Sequence, residues 1–130
     1  MPEGLAVYCE PSDIGRFHAT ASAYVTRARN EKTLLPLATL INHRDRAGFF
    51  SLGADRVGIA YNESWALVSM LMRDEFRSGF YEYLRHYRDI NDPKQADAAL
   101  REDSFKVLLA CLKTDSSTLE AKWQDFLRHL

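Results

Sequence analysis

Residues Tyr61 to Ile90 read YNESWALVSMLMRDEFRSGFYEYLRHYRDI. The stretch divides at Asp74 into two helices of different character. From Trp65 to Met72 only Ser69 is polar. A helix that is apolar on most of its circumference is either buried or membrane-spanning. The run is far too short for a bilayer, which needs about 20 apolar residues. It therefore predicts a buried central helix, from about Arg56 to Arg73, with Asp55 as a candidate N-cap. Beyond Asp74, the residues Phe76, Phe80, Tyr83, Leu84, Tyr87 and Ile90 lie three or four apart along one face. Arg77, Glu82, Arg85, His86 and Arg88 fill the other, the pattern of an amphipathic helix packed on a core.

Working toward the C-terminus, Asn91-Asp92-Pro93 ends that helix. Asp92 fits an N-cap and Pro93 the first position of a modest helix to about Leu100. Asp103 opens another, with Phe105, Leu108, Leu109 and Leu112 on one face. Ser117 and Glu120 have capping-box spacing, ahead of a last stripe of Leu119, Trp123, Phe126, Leu127 and Leu130. Working toward the N-terminus, Asp45 can cap a short turn ending at Phe49-Phe50. Leu35 is held extended by Pro36, which starts a short helix over Leu37 to Asn42. A helix is expected from about Arg16 to Lys32, with Phe17, Ala21, Tyr24, Val25 and Ala28 on one face; the competing reading is an irregular opening followed by a shorter helix. Glu3 to Cys9 is a short apolar segment, broken by Pro11-Ser12-Asp13. No stretch alternates with period two for long enough to be a strand. The sequence predicts an all-α fold: about five to seven short-to-medium helices around the buried central one.

The 130 residues correspond to one domain, 46% apolar and 27% charged, which is ordinary for a globular protein. That length is enough to bury roughly two thirds of the unfolded surface. The net charge is −1 with both signs interspersed. There is no basic stripe of the kind that binds nucleic acid, and no polybasic tail for a membrane surface. Met1-Pro2-Glu3-Gly4 lacks the basic and apolar regions of a signal peptide, and the compartment stays open.

Among chemistry-bearing residues, Cys9 and Cys111 form no CxxC pair and read as two buried thiols; a single disulfide is the other reading. No Gly-x-Ser-x-Gly elbow accompanies the four histidines. Glu82 and His86 stand at i, i+4 and share a helix face. The plain reading is a solvated face among arginines, since a pair without a third partner is not a zinc site. Tyr61 stands near the opening of the central helix, beside Asn62, Glu63 and Ser64. It is either a core aromatic with its hydroxyl at the rim or a donor to a developing oxyanion in a cleft.

Several phrases together resemble a known family. Glu3-Gly4-Leu5-Ala6-x-Tyr8-x-Glu10 is similar to the Glu-Gly-Leu-Ala segment of peptidase-MA-like, gluzincin-type zinc metallopeptidases. Leu35-Pro36-Leu37 with Leu40, Asp45-Arg46-Ala47-x-Phe49-Phe50, and Tyr61-x-x-Ser64-Trp65-Ala66-Leu67-Val68 resemble domain-of-unknown-function family 1570 of that superfamily. Phe105 and Trp123-x-x-Phe126-Leu127 resemble its closing helices. The resemblance spans nearly the whole chain. It implies Glu3 as the third zinc ligand and, by position, Tyr61 as an oxyanion-stabilising phenol. The family's His-Glu-x-x-His motif, which supplies two zinc ligands and the general base, is nowhere in this chain. The resemblance therefore implies the C-terminal helical portion of such an enzyme, without catalysis of its own and without a cofactor held by this chain alone. Zinc belongs to the full-length family member. The implied partner is the missing N-terminal metallopeptidase segment. The alternative is a stand-alone helical interaction or homodimerisation module, suggested by the aromatic surplus at Phe49-Phe50 and Tyr81.

Overall fold

The structure, a computed structural model, describes residues 17–43, 51–90 and 92–130. It is all-α, as the periodicities predict. Seven helices follow one another among the described residues: α1 (Ala19–Asn30), α2 (Leu37–Asn42), α3 (Ala54–Leu71), α4 (Asp74–Arg88), α5 (Pro93–Arg101), α6 (Ser104–Leu112) and α7 (Ser116–Arg128). None is long and apolar enough to cross a membrane. The expected segments at Glu3–Cys9 and Asp45–Phe50 lie outside the described residues.

The central helix is where the apolar run places it. Ala60, Trp65, Ala66, Leu67, Val68, Met70 and Leu71 of α3 are all buried, and α1, α4 and α7 pack around them. Its start differs from expectation. Gly53, at φ 95°, occupies the N-cap, and its carbonyl accepts from the Arg56 and Val57 N–H groups. Asp55 lies in the first turn instead, where an acid favours the helix dipole. Helix α4 buries Phe76, Phe80 and Tyr83, the first three members of its predicted stripe. Arg73 holds its N-cap, and Asp74, in the first turn, pairs with Arg77 at 2.9 Å.

Helix α1 follows the competing reading, a shorter helix after a non-helical Phe17-His18. The His18 ring caps it, Nδ1 accepting the Ala21 N–H at 3.2 Å. Phe17 thus precedes the helix and is 63% exposed, with its edge toward Trp65, and Tyr24 is 47% exposed. Both were expected on one face with Ala21, Val25 and Ala28. Ala21, Ser22, Val25 and Ala28 make the buried face. Helix α2 spans Leu37–Asn42 as expected, with Pro36 at its N-cap. Asp92 caps α5 with Pro93 at its first turn, and Asp103 caps α6, both as expected. For α7 the cap is Asp115, accepting from Thr118 N–H at 2.8 Å. This replaces the Ser117–Glu120 capping box, because Asp115 is the acceptor two residues earlier; Glu120 bonds Gln124 instead.

Helices α4 and α6 cross closely. A Cβ on Gly79 would lie 2.5 Å from the Cys111 carbonyl oxygen and 2.9 Å from Leu112 Cα. Both are backbone atoms, which cannot swing aside. In an unpacked helix, glycine to alanine gains about 1 kcal/mol. Here Gly79→Ala is expected to destabilise by roughly 1–3 kcal/mol as an overpacking change. A urea melt of the variant checks the sign, and a gain in stability would show that the crossing is looser than described.

Candidate functional site

The inner face of α3 carries an unexpected acid. Glu63 falls three residues after Ala60 and four before Leu67, within the buried stripe, and its side chain is fully enclosed. Its Oε2 accepts the Leu35 N–H at 2.8 Å. Its Oε1 has no hydrogen-bond partner. Enclosure disfavours the charged form and pushes the carboxyl up to about 8; the Leu35 bond pulls the other way, and the Glu120 charge adds a smaller upward push. Glu63 is therefore a neutral acid at neutral pH.

Leu35 reaches Glu63 because the turn between α1 and α2 is built to turn inward there. Lys32 takes a left-handed backbone conformation, φ 56°. Thr33 then ties back to α1, its N–H and its hydroxyl both donating to the Ala28 carbonyl at 2.9 and 3.2 Å. Leu35 is kept extended by Pro36, and its side chain is buried. This turn forms one wall of a surface cleft of about 570 Å³, which Tyr24, Arg27, Lys32, Asp55, Arg56 and Ile59 also line. Arg27 and Glu31 pair across one helical turn at 2.8 Å on its exposed edge.

The sequence-derived candidates are distributed as follows. Tyr61 is half-buried, its ring packed against the core cluster. Asn62 donates to the Gly58 carbonyl at 2.7 Å, and Glu63 and Ser64 are buried. Glu3 and Cys9 lie outside the described residues. Cys111 is a free thiol, half-buried rather than buried, and burial raises its pKa, with a smaller push from Glu82. His86 does not pair with Glu82; its Nε2 meets Glu102 Oε1 at 2.8 Å. That contact borders a second cleft of about 550 Å³, between the end of α4 and α5. Among the described residues no three His, Cys, Asp or Glu side chains converge. The described residues do not by themselves compose the zinc site that the resemblance implies.

One internal polar network was not anticipated. The buried Ser104 hydroxyl lies 2.8 Å from both the Tyr83 and the Tyr87 hydroxyls, joining α4 to α6. Asn42 joins α2 to α6, donating to Asp103 and accepting the Phe105 N–H. These hydroxyls and amides are occupied in holding helices together. Glu63 is the feature that sequence reasoning missed, although its position inside the Ala60–Leu67 stripe is a signal for it. No family model, no curated protein and no solved structure matches the chain.

Proposed function

We propose that the chain is the helical portion of a gluzincin-type zinc metallopeptidase and has no catalysis of its own. In this reading it walls a substrate cleft and presents Glu3 and Tyr61 to a His-Glu-x-x-His helix carried by another segment. A catalytic zinc needs three protein ligands, and this chain offers one by resemblance. The observation that carries the reading concerns the resembling phrases themselves. Leu35, Leu37 and Leu40, then Trp65 to Val68, then Trp123, Phe126 and Leu127 come from three distant parts of the chain and belong to one hydrophobic cluster. Tyr61 packs at the edge of that same cluster.

A second reading, a stand-alone interaction module, is favoured by α5. That helix buries none of its residues, and Leu100 on it is 65% exposed. The upstream sequence separates the two readings, and a zinc titration tests the catalytic incompleteness of the chain. The reading frame upstream of the Met1 codon is expected to encode His-Glu-x-x-His, and zinc titrated into the chain alone is expected to show no tight one-to-one binding. A stop codon with no such motif before it would favour the interaction module. Tight stoichiometric zinc on the chain alone would contradict its catalytic incompleteness.

A further inference from the structure

Glu63 joins two parts of the chain 28 residues apart through a single hydrogen bond, to the Leu35 N–H. The described environment disfavours an anion more than a neutral acid, whose one O–H is left without an acceptor. It supplies one donor, from Leu35, and leaves Oε1 without a partner. An ionised carboxylate accepts at both oxygens and is strongly disfavoured in a dry site without such donors. The Leu35 side of the contact is the non-helical one. Residues 31–36 are not helical, and Leu34 and Thr33 line the open cleft beside Leu35.

Among the described residues, the charges around this contact do not compensate an anion. From α7 comes Glu120, a like charge. On α1, Arg27 and Glu31 are paired with each other, and Lys32 faces the cleft. On α3 itself, Asp55 and Arg56 line the same cleft. On α4, Asp74 and Glu75 are bonded to Arg77 and to Lys122 of α7. Helix α2 carries no charged residue.

We propose that Glu63 is a proton-operated latch on the cleft-lining turn. With its proton, Glu63 holds Leu35 and the turn against α3. Opening the turn exposes the carboxyl to water, and the proton leaves with the opening. The cleft wall formed by residues 31–36 thus loosens as pH rises, by a device independent of the metallopeptidase reading.

Amide exchange followed by NMR tests this on the intact chain. Opening linked to loss of one proton grows about tenfold per pH unit. The Leu35 protection factor is expected to fall by that slope from about pH 5 to about pH 8 and to level off above. At pH 7 Leu35 should be less protected than Leu67 in the core. Glu63→Gln should remove the slope. Glu120→Gln, which removes the like charge from α7, should move the levelling-off to lower pH, and it serves as the test if Glu63→Gln does not fold. Leu35 protection that is flat with pH would overturn the latch. So would an equal slope in Glu63→Gln, or exchange of Leu35 only together with Leu67.

Discussion

Replacing Glu63 by glutamine is expected to abolish most of the chain's pH dependence of stability between about pH 4.5 and pH 8. The unfolded carboxyl titrates near 4.5 and the folded one is pushed up to about 8. The folded state thus holds a proton over this window that the unfolded state has released. Stability is fully present below the unfolded value, declines as pH rises through the window and is constant beyond it. At about 1.4 kcal/mol per unit, the full decline is of order 5 kcal/mol. That is a large fraction of the 5–15 kcal/mol typical of a domain, and local opening at Leu35 limits how much of it a global melt records. Asp103, Asp115 and Asp125, whose hydrogen bonds lower their pKa values, act in the opposite sense and lose their contribution only in acid. The stability maximum should therefore lie on the acidic side, near about pH 5. Glutamine keeps an acceptor for Leu35 but adds unpartnered amide hydrogens, so Glu63→Gln should be less stable than the parent at pH 5 and more stable at pH 9. Urea midpoints at the two pH values measure both; parallel shifts in the two proteins would refute the assignment.

Trp123→Ala is expected to remove about 3–5 kcal/mol, the usual loss for a buried tryptophan. Trp123 is 2% exposed and stacks on Phe126 at 5.9 Å, with the rings 10° apart. The Arg73 guanidinium lies 4.5 Å over the Phe126 ring. Helix α7 packs against both α1 and α3, so its loss exposes two further helices and not only its own face. Trp123→Phe should retain most of the stability. Denaturation followed by Trp65 fluorescence checks this, and a loss under about 1 kcal/mol would mean that α7 contributes little to the core.

The helical fold was legible wherever period and burial coincide. Trp65 to Leu71, the Phe76–Tyr83 stripe and Leu119–Leu127 are buried as their spacing implies. Errors arose at helix starts, where one side chain decides. His18 caps α1 and leaves Phe17 outside; Asp115 captures α7 two residues before Ser117. Glu63 escaped notice because its charge type argues for the surface, while its spacing argues for the core. Burial is resolved in favour of spacing by Leu35, a residue brought close only by the tertiary fold. The Gly79–Cys111 approach depends on helix register in the same way. Of the two resemblance-derived site residues, Tyr61 is half-buried with its side chain against the core cluster, and Glu3 lies outside the described residues.

The central claim is that the hub helix α3 encloses a neutral acid whose proton fastens the α1–α2 turn. Its most direct measurement is a titration of the Glu63 side-chain carboxyl by carbon-13 NMR, assigned with Glu63→Gln. The expected midpoint in the folded protein is about 8. A midpoint near 4.5, the ordinary glutamate value, would show an acid in contact with water and would contradict both the enclosure and the latch.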